Sequence, residues 1–69
     1  MENDKLILLG ERIKKAREKQ GLTQEQLAYS IGKDQPSINR VEKGKINPSY
    51  LYLLELADGL GVSVKELLG

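Results

Sequence analysis

Apolar residues recur along this chain at helical spacing, and glycines separate the runs. In the first run the apolar positions lie three or four residues apart and therefore share one stripe of a helix: Leu6, Leu9, Ile13 and Ala16. We expect this helix to end at Gly21, because glycine readily adopts the left-handed backbone conformation that closes helices. The pattern therefore predicts a first helix that is buried along one side.

A second helix is predicted to begin at a capping box. In this motif a Thr or Ser side chain accepts a hydrogen bond from the backbone N–H three residues later, and a Gln or Glu side chain at that later position accepts one from the backbone N–H of the Thr or Ser. Thr23 and Gln26 have this spacing. Leu22 and Leu27 flank the box as a hydrophobic staple. The inward residues of this helix are Leu27, Ala28 and Ile31. We expect the helix to end at Gly32.

A third helix is predicted after a turn of about three residues. Asp34 can cap it only through the backbone of Ser37, because Pro36 has no N–H and disfavours helical geometry at Gln35. The helix therefore begins either at Gln35 or at Pro36. Its inward positions are Ile38 and Val41, with Glu42 at the edge of the buried side and Gly44 at the end.

The last third of the chain predicts two more helices. The segment NPS (residues 47–49) precedes a strongly apolar run that we expect to form a helix ending at Gly61. The residues predicted to face inward on it are Leu53, Leu54, Ala57 and Leu60. A second capping box, Ser63 to Glu66, opens a short final helix. Its inward residues are Val64, Leu67 and Leu68. With no strand pattern and no repeat, the predicted fold class is an all-α, compact five-helix bundle.

Composition narrows the possible functions. A chain of 69 residues builds one core, so we expect a single domain over residues 1–69. The absence of Cys and His excludes disulfides, structural zinc and Cys or His catalysis, and no cofactor, metal or small-molecule ligand is indicated. No apolar run approaches the roughly 20 residues that span a bilayer, and no basic-then-apolar leader opens the chain. We therefore expect a soluble, cytoplasmic protein without a membrane partner.

The charge is distributed unevenly, although the formal net charge is only +1. Residues 33–50 carry four Lys or Arg against two Asp or Glu, whereas residues 51–69 carry one against three. A polyanion is therefore expected to bind the middle segment and not the C-terminal one.

The second and third predicted helices, joined by a short turn that contains Gly, match the helix-turn-helix pattern, whose second helix enters the DNA major groove in DNA-binding proteins. The outward side of the third helix carries Pro36, Asn39, Arg40 and Lys43, with Gln35 and Ser37 at its N-terminal end. Gln and Asn can pair with adenine, Arg with guanine, and Pro can contact a thymine methyl group. Such residues also occur on solvated helices, so spacing alone leaves base recognition and a plain surface equally open.

Longer segments resemble a known family. GLTQEQLAYSIG, its spacing to SINRVEKGK, and the later NPS and LLELADGLGVSVKELL closely resemble the lambda-repressor-like (Cro/C1 or Xre-type) helix-turn-helix family. The resemblance extends from about Leu9 to Leu68. It implies a five-helix bundle that binds double-stranded operator DNA, usually as a two-fold dimer, with the third helix as the recognition helix.

The resemblance also implies roles for base-reading residues. Gln35 matches a family position that reads a base, often adenine, and Gln24 matches a phosphate-contacting residue that also braces the first residue of the recognition helix. Members vary at the positions that correspond to Pro36, Ser37, Asn39 and Arg40. This chain departs from the family at Asp34, where Ser or Thr is usual, and at Pro36, where a polar residue is usual.

Other residues match positions along the sugar-phosphate backbone. The resemblance gives this role to Lys43, Lys45 and Asn47, and the alternative for either lysine singly is a solubilising charge. Thr23 is first a helix cap, with any phosphate contact secondary. Arg17 and Glu42 match an ion pair that recurs in the family, and we assign this pair to structure.

One recognition helix contacts only a few base pairs, so we expect a homodimer, formed through the fourth and fifth helices. Surplus apolar residues are available for its interface: Ile7, Leu8, Leu51, Tyr52 and Leu56. The alternative is that these side chains are buried within one subunit.

Two further function classes remain possible. The fold can serve as a protein-interaction module, for example an antitoxin or an adaptor. An enzyme has little support, since the chain has no nucleophile–base pair and no metal cluster.

Overall fold

The structure is a computed structural model and describes residues 4–69. Within this range the chain forms five α-helices and no strand, which confirms the predicted all-α bundle. The helices are α1 (Asp4–Lys19), α2 (Gln24–Ser30), α3 (Gln35–Glu42), α4 (Tyr50–Leu60) and α5 (Val64–Leu68). Helix α2 packs against α3 and α4, and α1 contacts α3, α4 and α5. In residues 4–69 no helix is long and apolar enough to cross a membrane.

Both predicted capping boxes are confirmed. At α2 the backbone N–H of Gln26 donates to Thr23 Oγ1 at 3.0 Å, and Gln26 Oε1 accepts from the Thr23 backbone at 2.9 Å. At α5 the same reciprocal pair joins Ser63 and Glu66. These bonds satisfy N–H groups that a helix otherwise leaves without partners. The first box also fixes Gln24 as the first residue of α2.

Helix α3 begins at Gln35, the earlier of the two predicted starts. Asp34 Oδ1 accepts from the Ser37 backbone N–H at 2.9 Å, so Asp34 is the cap, as predicted. Pro36 occupies the first turn, where a missing N–H removes no helical hydrogen bond. Gln35 therefore belongs to the regular helix and is its first residue.

The core contains apolar residues from all five helices of residues 4–69: Leu9, Ile13, Leu27, Ala28, Ile38, Val41, Leu53, Leu56, Ala57, Leu60 and Leu67. Ile38 and Val41 are fully buried, so the inner side of α3 is the one predicted. Ala16 and Ile31 are only partly buried and pack at the edge.

Three predictions about the C-terminal helices are wrong. Leu54 and Leu68 were expected inside, but their side chains are 42% and 53% exposed. Leu56 was expected on the surface and is fully buried. The buried residues of α4 follow the i, i+3, i+4, i+7 spacing of an amphipathic helix: Leu53, Leu56, Ala57 and Leu60. Leu54 lies at the edge of this stripe, so helical spacing favours Leu56 as the inward leucine. Helix α5 has only five residues, and its one buried leucine is Leu67.

Two glycines let α1 lie close to the end of α3. A Cβ atom on Gly10 would overlap with the backbone carbonyl oxygens of Val41 and Glu42. Gly44, which has a φ of +70°, ends α3 in the left-handed conformation, and a Cβ there would lie 2.8 Å from the backbone nitrogen of Ile7. The C-terminal end of the proposed recognition helix therefore rests directly on the backbone of α1.

Candidate nucleic-acid interface

The outward side of α3 and its N-terminal turn carry the five side chains predicted to read bases. Pro36 and Arg40 are exposed, whereas Gln35, Ser37 and Asn39 are half-buried because each contacts a neighbouring helix. Neither Asn39 nor Arg40 is buried beneath another segment. This side therefore presents amide and guanidinium groups at one surface.

The first residue of α2 braces the recognition face. Gln24 Oε1 accepts a hydrogen bond from Gln35 Nε2 at 2.7 Å and a longer one from Asn39 Nδ2 at 3.3 Å. The brace between Gln24 and the first residue of α3, implied by the family resemblance, is thus present. It restricts the rotamers of two candidate base readers before any ligand binds.

The predicted ion pair between Arg17 and Glu42 lies behind this cluster. Arg17 Nε and Nη2 donate to the two carboxylate oxygens of Glu42 at 2.6 and 3.1 Å, and Nη1 donates to the carbonyl of Leu22 at 2.7 Å. The hydrogen bonds to Glu42 raise the pKa of Arg17, so its charge persists. Both residues are buried, and removing either one would leave a buried charge without its partner.

Glu42 makes a further contact that the sequence did not indicate. Gln24 Nε2 donates to Glu42 Oε1 at 2.9 Å. The buried ion pair is therefore connected through Gln24 to Gln35 and Asn39. The two partners are 18 residues apart in the chain, so no local sequence pattern relates them.

A second contact missed by the sequence joins α3 to α4. The hydroxyl oxygens of Ser37 and Tyr52 lie 2.6 Å apart. Lys33, in the turn before α3, places its Nζ 5.0 Å from the centre of the Tyr52 ring and 3.3 Å from Glu55 Oε1. Tyr52, predicted as a surplus surface residue, is thus half-buried and engaged within the subunit.

The side chains predicted to contact phosphates lie at the two ends of the helix-turn-helix. Lys43, Lys45 and Asn47 are exposed just after α3, and Thr23 is exposed at the start of α2. The Thr23 hydroxyl accepts the cap hydrogen bond and still has its own hydrogen to donate. The outer α3 face is therefore flanked by groups that can donate to oxyanions.

Comparison with known proteins identifies the family. The family model described as helix-turn-helix matches residues 13–67. The chain belongs to the Cro/C1-type helix-turn-helix family. The match begins within α1 and ends within α5, so it includes both helices of the candidate interface.

Its relatives are transcriptional regulators and controller proteins. The chain is 40% identical over 60 residues to the uncharacterized HTH-type transcriptional regulator y4dJ of Sinorhizobium fredii, covering 87% of this chain and 78% of that one. It is 39% identical over 66 residues to the control protein C.MunI of a Mycoplasma species, with 94% and 89% covered. The crystal structure of the restriction-modification controller protein C.AhdI from Aeromonas hydrophila superposes with a TM-score of 0.91, at 35% identity, covering 94% of this chain and 98% of that one.

Proposed function

We propose that the protein is a sequence-specific, double-stranded DNA-binding transcriptional regulator of the repressor type. In this proposal residues 1–69 act as one cytoplasmic DNA-binding domain. Two copies bind a palindromic operator, each with α3 in the major groove.

The placement of Gln35, Asn39 and Arg40 along one outward side of α3 carries the proposal. A major groove about 12 Å wide admits one α-helix, and amide and guanidinium groups are the side chains that pair with adenine and guanine edges there. Gln35 and Asn39 are already braced by Gln24. Holding them before binding lowers the conformational entropy lost on contact.

Phosphate contacts would fix the register of this helix on the duplex. In the proposal Thr23 and Gln24 contact one strand at the start of α2, while Lys43, Lys45 and Asn47 contact the backbone beyond the end of α3. Such contacts supply affinity and position, whereas the base contacts supply specificity. The basic balance of residues 33–50 supports this arrangement.

The outer side of α4 is the proposed dimer surface. Tyr50 and Leu51 are 67% and 65% exposed, and Leu54 on α4 and Leu68 on α5 are also exposed. A second copy of the chain suits this surface, because a two-fold interface needs only one self-complementary patch. If the two recognition helices are then about 34 Å apart, they meet the major groove on successive turns of one face of the DNA.

The likeness to C.AhdI favours a narrower role, the control of restriction-modification genes. This role predicts that the chain's own gene neighbours genes for a DNA methyltransferase and a restriction endonuclease, with the operator upstream of them. If the neighbouring genes are unrelated to restriction and modification and the operator lies at other genes, the narrower role is contradicted, whereas the DNA-binding proposal is unaffected.

Selection of bound duplexes from a random pool tests the proposal directly. We expect enrichment of one palindromic sequence whose half-site centres are about one helical turn apart. Arg40→Ala should reduce the free energy of binding to the enriched duplex by about 1–3 kcal/mol and relax the base preference at one base pair. Enrichment of no sequence, or equal losses on all duplexes, would contradict base recognition.

The salt dependence of binding separates this proposal from a protein-interaction module. Phosphate contacts release counterions, so the DNA affinity should fall steeply as salt is added. An apolar protein partner on α4 would give affinity that changes little over the same range.

A further inference from the structure

A continuous series of hydrogen bonds leads from the buried ion pair to the outward side of α3. Arg17 holds both carboxylate oxygens of Glu42, and Glu42 Oε1 also accepts from Gln24 Nε2. Gln24 then accepts from Gln35 and Asn39 through its other amide atom, Oε1. One side chain on α2 therefore links a buried carboxylate to two candidate base readers.

The polarity of this series is fixed by chemistry. A carboxylate only accepts hydrogen bonds, so the group of Gln24 that meets Glu42 has to be its NH₂. The carbonyl oxygen of Gln24 is then directed to Gln35, which in turn has to offer its own NH₂. The reverse orientation of Gln24 would bring its carbonyl oxygen against the carboxylate of Glu42, with no proton between the two acceptors.

The consequence is a defined set of free hydrogen-bonding groups on Gln35, which makes the shorter of the two hydrogen bonds to Gln24. One hydrogen of its NH₂ is used by Gln24, which leaves the carbonyl oxygen and the second N–H for a ligand. A free carbonyl oxygen needs a donor, and in the major groove the base donors are the exocyclic amines of adenine and cytosine. Adenine also offers N7 as an acceptor for the remaining N–H.

We propose that Glu42 is a positioning residue for base recognition: by fixing the amide orientation of Gln24, it orients Gln35 and Asn39 and favours a base that carries an exocyclic amine. This inference rests on the proposed DNA-binding function. It gives Glu42 a role beyond the structural one assigned from sequence.

The test uses two variants that interrupt the series at different points. Glu42→Gln keeps the shape of the side chain but can either donate to or accept from Gln24, so the orientation is no longer imposed. Gln24→Met removes the amide and leaves the Arg17–Glu42 pair intact. Ile13→Val is the control, since it perturbs the core at a residue outside the series.

The quantity measured is the ratio of the affinity for the enriched duplex to the affinity for a duplex that is changed at one base pair. Gln35→Ala first identifies the base pair in the enriched duplex at which preference disappears. Each variant is then titrated with the enriched duplex and with duplexes changed at that base pair. We expect both Glu42→Gln and Gln24→Met to reduce the ratio about fivefold or more, and Ile13→Val to keep it. An unchanged ratio in either Glu42→Gln or Gln24→Met overturns the proposal, and an unchanged ratio in Gln24→Met does so alone if Glu42→Gln does not fold.

A second measurement needs no DNA. In NMR spectra of the free protein, Glu42→Gln should shift the side-chain NH₂ signals of Gln35 through Gln24. Glu25→Gln, the same substitution at an exposed residue of α2, should leave them in place. Unshifted Gln35 signals in Glu42→Gln would overturn the inference. Failure of the unaltered protein to bind any duplex would instead overturn the proposed function, so the two failures are distinguishable.

Discussion

The hydroxyl oxygens of Ser37 and Tyr52, 2.6 Å apart, join the first turn of α3 to α4. The opposite side of the same turn is held by α2, where Gln24 accepts from Gln35. The N-terminal end of α3, which would enter the groove first, is therefore held by hydrogen bonds to both α2 and α4. Helix α4 also carries the proposed dimer surface. The contact between Ser37 and Tyr52 would therefore help to set the distance between the two recognition helices of a dimer.

Tyr52→Phe should lower the free energy of unfolding by about 0.5–1.5 kcal/mol, since it removes one hydrogen bond and keeps the ring. The ring contact with Lys33 should persist. Urea denaturation measures the change, and Tyr29→Phe, at a largely exposed tyrosine on α2, is the matched control. Equal stabilities of the two variants would show that the hydroxyl contact contributes nothing.

Gly10→Ala should destabilise the protein by about 1–3 kcal/mol, because the added methyl group pushes α1 away from the end of α3. It should also weaken DNA binding by displacing α3. Gly21→Ala is the comparison: its φ of +72° makes Ala unfavourable by about 1–2 kcal/mol, but the added carbon would have no atom within 4 Å other than those of Gly21 and its two chain neighbours. We expect Gly21→Ala to keep its DNA affinity when folded. Similar losses of affinity in both folded variants would contradict the role given to the α1–α3 contact.

Lys43→Ala should weaken binding to every duplex by a similar factor and lower the slope of log affinity against log salt by about one unit. The reason is the loss of one phosphate contact and its released counterion. Lys65→Ala, at an exposed lysine on α5, should leave the slope unchanged. An unchanged slope in Lys43→Ala would mean that Lys43 contacts no phosphate.

Leu51→Glu should weaken self-association about tenfold or more, because two-fold symmetry would place two uncompensated charges in the interface. Sedimentation equilibrium measures the dimer dissociation constant. Tyr29→Glu introduces the same charge at an exposed residue of α2 and should have little effect. If Leu51→Glu associates as the unaltered protein does, the dimer forms through another surface.

Local sequence patterns predicted the helix boundaries well, because caps and glycine stops act over a few residues. The Thr23 box and the Asp34 cap were identified in this way, and the structure confirms both. The expectation that Leu54 and not Leu56 faces inward on α4 was wrong, although helical spacing favours Leu56, which lies three residues after Leu53 and four before Leu60.

The candidate site was predictable where the family motif or helical spacing indicated it. Helical spacing put Asn39 and Arg40 on the outer side of α3, and the resemblance implied the contact between Gln24 and Gln35. The bonds from Gln24 to Glu42 and from Ser37 to Tyr52 were not predictable, because each depends on how two helices cross. These cross-helix contacts are what give the outward amides a defined orientation.

Methylation interference on the enriched duplex tests the central claim, that the outward side of α3 contacts base edges in the major groove. Dimethyl sulfate methylates guanine N7 in the major groove and adenine N3 in the minor groove, so the two grooves are examined in one experiment. We predict that duplexes methylated at particular guanine N7 atoms are depleted from the bound fraction, and that Arg40→Ala removes the interference at one of them. Interference only at adenine N3, or at no base, would contradict the account.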